Sequence, residues 1–199
     1  MIKFIKINDS EPYREFTNLY HKALSKNQKN IEAASISSFN SISKEVEARF
    51  VNLKYINNNE WIFFSNYKST KAKDFKSHNQ ISALFYWNEL NVQIRIKAKI
   101  ERTSPDFSDQ HFIDRSDKKN ALAISSNQSE IIKSYENIVE NYEKILSDKN
   151  NLIQRPGYWG GYSFTPYYFE FWEGHESRLN KRDVYKLNNG DWNHRILQP

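Results

Sequence analysis

Alternation of apolar and polar side chains runs through the middle and the end of this chain. It is clearest over residues 92–100, where Val92, Ile94 and Ile96 face one way and Gln93 and Arg95 the other. This period of two predicts a strand with one buried face. Comparable patterns between turn residues predict further strands. They cover residues 33–39, 46–55, 60–65, 81–87, 158–164, 167–172, 183–187 and 192–197.

Helical spacing of apolar residues is confined to a few segments. It predicts a helix over residues 11–26, one with Ser69 as its N-cap, and a helical region from 104 to 126 that breaks near Ser116. The longest pattern covers residues 129–147, where Ile131, Tyr135 and Ile138 begin an apolar stripe. Such a stripe most often packs against a core, and we expect that role here.

The order of these elements favours antiparallel hairpins, with asparagine-rich turns at residues 57–59 and 188–191. There are no repeated strand–helix–strand units, so a doubly wound parallel sheet is not expected. A closed or split barrel of about six to eight strands would cover the strand edges. The sequence therefore predicts a mainly β fold with inserted helices. We expect a single domain over residues 1–199, whose residues 1–30 form an N-terminal helical extension.

Composition narrows the classes of function. The chain has 199 residues, no cysteine and a net charge of +5. Disulfides and thiolate metal sites are therefore excluded. The first residues are too often charged for a signal peptide, and no apolar run approaches the roughly 20 residues that span a bilayer. We expect a cytoplasmic protein with no membrane partner. The basic residues form no long tract, so small anionic ligands are expected rather than nucleic acid.

Motifs for familiar catalytic sites are missing. The five histidines show no tight metal-ligand spacing, so no metal site is expected. The chain has no Gly-x-Ser-x-Gly elbow, no Walker loop and no Gly-x-Gly-x-x-Gly turn. A bound organic cofactor is then the more economical source of chemistry.

Several local features suit an anionic, planar ligand. Ser69 and Lys71 stand at a helix start, where free N–H groups and the helix dipole favour anions. A capped helix with a solvated lysine explains the same residues. Arg49 and Lys54 lie five positions apart on one predicted strand and would point to opposite faces unless a bulge realigns them. Gln93, on the polar face of its strand, can hydrogen-bond a heterocycle, although a solvated glutamine is the simpler interpretation.

Taken in order, the motifs resemble the pyridoxine/pyridoxamine 5′-phosphate oxidase family, the FMN-binding split barrels, over roughly residues 45–199. Each string is weak alone, and their order and spacing carry the resemblance. The strings are Arg49-Phe-Val-Asn-Leu-Lys54, Phe63-Phe-Ser-Asn66, Ser69-Thr-Lys-Ala72, Leu84-Phe-Tyr-Trp87, Gln93-Ile-Arg95, Phe112-Ile-Asp-Arg115, Gln128-Ser129, Trp159-Gly-Gly-Tyr162, Glu170-Phe-Trp172, Arg178-Leu-Asn-Lys-Arg182 and a terminal Trp192…Arg195-Ile-Leu-Gln-Pro199.

The resemblance implies FMN as cofactor, bound where two subunits of a homodimer meet. It assigns the phosphate of FMN to Arg49 and Lys71, with serines nearby, and a flavin contact to Gln93. One position departs from the family: the usual Ser-Arg-Lys at the helix start is Ser69-Thr70-Lys71 here. The full implied cofactor set is Arg49, Lys54, Phe64, Ser65, Ser69, Thr70, Lys71, Gln93, Gln128, Ser129, Trp172 and Arg182.

The implied substrate set is less intact. Family members hold a substrate phosphate with Lys, Tyr, Arg and Ser, and place Arg and His over the pyridine ring. Lys54, Arg115 and Arg178 match this pattern. The tyrosine, serine and histidine positions carry His111, Lys119 and Asn180. By this resemblance Arg178 and Asn180 are the candidate catalytic residues. Lys54, His111, Arg115 and Lys119 complete the candidate substrate site.

The implied activity is an FMN-dependent oxidase that passes a hydride from a small anionic ring substrate to flavin and then to O₂, giving H₂O₂. Pyridoxamine or pyridoxine 5′-phosphate is the default substrate. Arg115-Ser116 and Tyr86-Trp87 also resemble the family's phenazine-pathway oxidases. Two alternatives therefore stay open: an oxidase of a dihydro-aromatic intermediate, and a non-catalytic FMN-binding protein.

Overall fold

The computed structural model describes all residues from 1 to 199. Its ten strands form one sheet, antiparallel except for the parallel pair β1 and β4. The predicted mainly β fold with inserted helices is confirmed. The elements are β1 (Lys3–Ile7), α1 (Glu11–Ser25), β2 (Ala33–Phe39), β3 (Val46–Asn52), β4 (Tyr55–Asn58), β5 (Glu60–Asn66), α2 (Thr70–Ser77), β6 (Gln80–Trp87), β7 (Val92–Arg102), α3 (Pro105–Ile113), α4 (Asp117–Ser125), α5 (Tyr135–Ser147), β8 (Trp159–Glu173), β9 (Lys181–Asn188) and β10 (Asp191–Ile196).

The burial of side chains along β7 follows the alternation in the sequence, as predicted. Val92, Ile94 and Ile96 are buried, whereas Gln93 and Arg95 are only half-buried. The three buried residues join a core rich in aromatic rings, in which the fully buried Trp61 is central. Burial of large rings on one face of the sheet is the main source of stability for such a fold.

Strand β8 joins the two halves of the sheet. Its first part, residues 159–164, pairs with β5, and its last part, residues 168–173, pairs with β9. Strand β7 runs beside nearly all of it. The sequence predicts two strands here, but the chain forms one 15-residue strand. Pro166 lies at a register shift opposite Ala98, because a proline without an N–H is accommodated best at a bulge.

The predicted strand over residues 46–55 is in fact two strands. It ends at Asn52, and a new strand begins at Tyr55. Between them, the fully buried Leu53 donates its N–H to Glu32, and Lys54 donates its N–H to Ile62. Strand β3 therefore pairs with β2, and β4 pairs with β5. Arg49 therefore lies on β3 and Lys54 between the two strands, so they do not sit on opposite faces of one strand.

The first 30 residues do more than form a helix. Strand β1, which the sequence pattern does not predict, pairs with β4. Helix α1 matches its prediction and buries Tyr13, Phe16 and Tyr20. The Phe16 ring lies 4.4 Å from the Trp61 ring, so α1 covers the centre of the core.

Helix α5 is shorter and more exposed than predicted. It begins at Tyr135 rather than near residue 129, and none of its residues is buried. Ile131, which precedes the helix, and Tyr135 at its start are exposed, and α5 packs mainly on α4 and on a short turn at residues 149–152. The interpretation of its stripe as core packing is therefore wrong within one chain. Among the helices, none combines the length and apolar character needed to cross a membrane.

Candidate functional site

Lys71, in the first turn of α2, is a buried cation without a carboxylate partner. Its side chain is 8% exposed, and its ammonium donates to the hydroxyls of Ser65 at 3.2 Å and Ser69 at 3.3 Å. Burial lowers the pKa of Lys71, and the nearby Arg49 guanidinium lowers it further. A bound anion would relieve both effects, because the charged ammonium gains a partner.

The residues around Lys71 leave the helix start open. Ser69 occupies the N-cap position as predicted, but its hydroxyl donates to the carbonyl of Asn66 at 2.8 Å instead of capping the helix. Thr70 is exposed. The first N–H groups of α2 therefore lack a side-chain cap and remain available to an anion.

Arg49 approaches the same region from β3. Its guanidinium donates to the Ser38 hydroxyl at 2.6 Å and forms ion pairs with Glu47 at 2.8 Å and Asp74 at 3.5 Å. Asp74 lies on α2 and is 2% exposed, so it ties Arg49 to the helix that carries Lys71. The two cations are thereby held as neighbours.

A cavity of about 230 Å³ opens beside this group. Ser65 and Gln128 line one side, with the Gln128 side-chain oxygen accepting from the Ser65 hydroxyl at 3.3 Å. Arg115 and Lys119 line another side. The cavity thus brings implied cofactor residues and implied substrate residues to one place. Ser129, with a positive φ of 74°, follows Gln128 at the surface.

Aromatic rings form a platform against the cavity. Phe64 stacks on His111 with ring centroids 3.7 Å apart and lies nearly parallel to Trp159 at 5.3 Å. The Arg115 guanidinium covers the Trp159 ring at 4.2 Å. Burial lowers the pKa of Arg115 to about 10, and its Nη1 is buried without a hydrogen-bond partner. A buried donor without a partner costs free energy, so binding of an acceptor to this atom would be favourable.

Behind Phe64, His111 is held by Tyr55. The Tyr55 hydroxyl lies 2.8 Å from His111 Nδ1. Burial lowers the pKa of His111 to about 4, and Arg115 and Lys54 add to the effect. The imidazole is therefore neutral at pH 7. The pKa of Lys54 is also lowered by burial, although its ammonium lies 4.0 Å from the Glu32 carboxylate. Tyr55 is absent from the sequence-derived set, because nothing in the pattern shows that α3 packs beside β4.

The remaining implied residues lie at the other end of β8. Gln93 of β7, Trp172 of β8 and Arg182 of β9 are neighbours across three strands. Arg182 donates to the Glu170 carboxylate at 2.7 and 3.0 Å. Glu170 is 3% exposed and is also paired with Arg95. Burial raises the pKa of Glu170, but hydrogen bonds from its partners outweigh this and lower it overall.

Arg178 and Asn180 belong to the loop between β8 and β9. Arg178 is exposed and has a positive φ of 59°. The Asn180 side-chain oxygen accepts from the backbone N–H of His175 at 3.0 Å, which closes the loop. Neither residue reaches the cavity of the same chain. Thirteen steps separate Trp159 from Trp172, or about 40 Å along the strand at about 3.3 Å each.

One chain therefore assembles only part of the implied site. The cavity and its surroundings bring together Arg49, Lys54, Phe64, Ser65, Ser69, Thr70, Lys71, His111, Arg115, Lys119, Gln128 and Ser129. The distant end of β8 carries Gln93, Trp172, Arg178, Asn180 and Arg182. No cluster of His, Cys, Asp or Glu has the arrangement of a metal site.

Comparisons with solved structures show the fold. The chain superposes on PhzG from Burkholderia lata, solved in complex with tetrahydrophenazine-1-carboxylic acid, with a TM-score of 0.90 and 24% identity. The match covers 96% of this chain and 93% of that chain. A pyridoxamine 5′-phosphate oxidase-related, FMN-binding protein from Nostoc punctiforme matches with a TM-score of 0.77 and 12% identity, over 96% and 100% of the two chains. The fold is that of the FMN-binding split barrels.

Comparisons of sequence show the family. Residues 159–199 match the region described as the pyridoxine 5′-phosphate oxidase C-terminal dimerisation region. A pyridoxine/pyridoxamine 5′-phosphate oxidase from Trichormus variabilis is 35% identical over 194 residues, covering 96% of this chain and 90% of that protein. One from Cytophaga hutchinsonii is 38% identical over 190 residues, covering 92% and 86%. This chain belongs to the pyridoxine/pyridoxamine 5′-phosphate oxidase family.

Proposed function

We propose that this chain, acting as one domain, is an FMN-dependent oxidase of a small anionic ring compound, with pyridoxamine or pyridoxine 5′-phosphate as the first substrate to test. The observation that carries the proposal is Lys71. A buried ammonium beside a second cation, at an uncapped helix start, is unfavourable until an anion binds. A cofactor phosphate is such an anion.

The residues present fit FMN. Lys71 and Arg49 would neutralise its phosphate, and the Ser65 and Ser69 hydroxyls that now satisfy Lys71 would turn to the phosphate oxygens. Gln128, at the wall of the cavity, would donate its amide to the same ligand. When bound, FMN supplies a hydride acceptor whose electrons pass on to O₂, giving peroxide.

Two copies of the chain are needed to complete this site. Gln93, Trp172 and Arg182 are implied flavin contacts, yet they lie at the far end of β8, about 40 Å along the strand from Trp159 at the cavity. A homodimer with FMN at the subunit interface would pair the cavity of one chain with the far end of β8 of its partner. The match of residues 159–199 to a dimerisation region supports this arrangement. The apolar side chains of Val46 and Phe50, exposed by 69% and 76%, are available for such an interface.

The substrate would lie against the cationic wall. Arg115, with an unpaired buried Nη1, and Lys119 face the cavity, and Lys54 and His111 stand next to them. These groups suit a phosphate or a carboxylate on a flat ring. Arg178 of the partner subunit would steady charge near the reacting ring, with Asn180 beside it.

A second candidate is an oxidase of a dihydro-aromatic intermediate in a specialised pathway. The observation that favours it is the altered polar set. By the resemblance, His111, Lys119 and Asn180 stand where the vitamin-phosphate site has a tyrosine, a serine and a histidine. His111 is neutral and part of an aromatic stack, which suits an aromatic carboxylate as well as a phosphate ester. The related fold from Burkholderia lata was solved with such a carboxylate.

FMN titration followed by peroxide detection tests both candidates. We expect quenching of FMN fluorescence on binding and H₂O₂ release when pyridoxamine 5′-phosphate is added. The double variant Arg49→Ala/Lys71→Ala should retain no FMN. Lys73→Ala is the matched control, because Lys73 is an exposed lysine on the same helix. No quenching would contradict every flavin function. Binding without peroxide on the vitamin phosphate would favour the second candidate or a non-catalytic FMN carrier.

A further inference from the structure

The hydrogen bond between Tyr55 and His111 has a direction that chemistry can assign. A phenol O–H is a stronger donor than a neutral imidazole N–H, and an imidazole nitrogen is a stronger acceptor than a phenol oxygen. The Tyr55 hydroxyl therefore donates to His111 Nδ1, 2.8 Å away. Because a neutral imidazole carries one proton, that proton stands on Nε2.

The second nitrogen of His111 is free to act. Nε2 makes no hydrogen bond within the chain, and it is not one of the buried atoms without a partner. Two contacts fix the imidazole ring: Tyr55 holds Nδ1, and Phe64 stacks on its face with ring centroids 3.7 Å apart and planes tilted by only 16°. A fixed ring presents its remaining N–H in one direction.

The charges around His111 favour one kind of hydrogen-bond acceptor for its Nε2–H group. The charged groups that act on His111 are Lys54 after β3, Asp114 and Arg115 after α3, and Lys119 on α4. Three of these four are cations. An anionic oxygen is attracted to this place, and a neutral donor adds a hydrogen bond without adding further repulsion between cations.

We propose that Tyr55 is a positioning residue that holds His111 in the Nε2–H form, so that this neutral imidazole donates to an anionic oxygen of the ring substrate. The proposal rests on the proposed function for the identity of the ligand. The oxygen is that of a phosphate ester or of an aromatic carboxylate.

The surrounding charges keep the pair in this state over the physiological range. Burial and the adjoining cations lower the pKa of His111 to about 4, so the imidazole remains neutral well below pH 7. Burial also raises the pKa of Tyr55, and Asp114 adds to this, so the hydroxyl keeps its proton. Both groups therefore have the protonation that the hydrogen bond requires.

Nitrogen NMR of the histidine side chains tests the geometry without any flavin chemistry. In protein labelled with ¹⁵N-histidine, His111 should show a protonated Nε2 and an unprotonated, hydrogen-bonded Nδ1 at pH 7. In Tyr55→Phe, the Nδ1 resonance should move to the position of a nitrogen without a donor. A protonated Nδ1 in the wild type, or an unchanged Nδ1 in Tyr55→Phe, would overturn the proposal.

Calorimetric titration of the FMN-saturated protein with inorganic phosphate and with benzoate tests the role. His111→Phe should weaken binding of the preferred anion about ten- to hundredfold, the effect of one hydrogen bond to a charged group, and Tyr55→Phe should weaken it by at most as much. The double variant should be no weaker than His111→Phe alone, because Tyr55 acts through His111. Additive losses would overturn the proposal. The stronger of the two probes identifies the phosphate or the carboxylate as the ligand group.

Tyr20→Phe is the matched control. It also removes a hydrogen-bonded hydroxyl, but on α1, and should leave anion binding unchanged. Absorbance at the flavin band shows whether each variant retains FMN. Failure to retain FMN contradicts the proposed function while leaving the NMR result intact. Retained FMN with additive losses contradicts only the role of Tyr55.

Discussion

Replacing Lys71 by methionine should change the stability of the apoprotein and of the FMN complex in opposite directions. In the apoprotein the ammonium is buried beside Arg49 and has only two hydroxyl partners, Ser65 and Ser69. Those two hydrogen bonds contribute about 1 kcal/mol each. The effective penalty for burying an ion is several kcal/mol. Methionine has a similar length and no charge, so Lys71→Met should stabilise the apoprotein by about 1 kcal/mol.

The same substitution should weaken FMN binding. A charge-assisted hydrogen bond to a phosphate is worth about 1.5–3 kcal/mol, which corresponds to a roughly ten- to hundredfold higher Kd. At an FMN concentration of about 100 times the wild-type Kd, the ligand stabilises the fold by about 2.7 kcal/mol. With a hundredfold weaker Kd, the same concentration adds only about 0.4 kcal/mol. The variant should then be the more stable protein without FMN and the less stable one with it.

Thermal unfolding with and without FMN measures both effects. A change of 1 kcal/mol shifts Tm by about 2–4 °C in a chain of this size. Lys71→Met should melt higher than wild type as apoprotein, and FMN should raise its Tm much less. Lys73→Met, an exposed lysine two positions along α2, should behave as wild type in both measurements. A variant apoprotein that melts several degrees below wild type would show that Lys71 stabilises the helix start, and would refute the reasoning.

Three further substitutions test other parts of the structure. Glu170→Gln should destabilise the protein by about 2–4 kcal/mol above pH 5, because it leaves Arg182 beside an uncharged group. The loss is smaller than for a fully buried ion pair, because Arg182 is partly exposed. Since the fold lowers the Glu170 pKa below 4.5, wild type should lose this stability as pH falls through the folded value, and urea unfolding across pH 3–6 should show a flatter profile for the variant. Gly161→Ala should cost about 1–3 kcal/mol, because its Cβ would collide with Thr103; Thr103→Ser should recover most of that loss in a thermal melt. Asn180→His should raise peroxide release from pyridoxamine 5′-phosphate, and an unchanged rate would exclude Asn180 as the reason for any low activity.

Local patterns were sufficient for most of the strands and helices. Alternation over β7 reports burial directly, because successive side chains point to opposite faces. The break between β3 and β4 was not predictable in the same way. Leu53 is apolar and alternates with Val51 and Tyr55, and only its contacts show that it turns into the core between two strands. Strand β1 has no clear sequence pattern because it is short and rich in lysine.

The sequence suggests candidate site residues one by one but not how they assemble. Ser65, which accepts a hydrogen bond from Lys71, and Arg115 line the same cavity. The apolar stripe of α5 shows that one face of a helix avoids water, but not what covers it, and within one chain none of its residues is fully buried. No sequence pattern indicates the contact of Tyr55 with His111, because it depends on the packing of α3 against β4, between residues 56 positions apart.

The long strand β8 also has a consequence for biosynthesis. Strands β5 and β7 do not pair with each other; each pairs with β8. While the ribosome is still making residues 159–173, the nascent chain holds two partial sheets with open edges, and open edges recruit other strands. The two partial sheets join only when contacts such as that between Trp61 and Phe164 form. These residues are about a hundred positions apart, and contacts of such long range form slowly. The chain should therefore depend on chaperones during synthesis more than its final stability suggests.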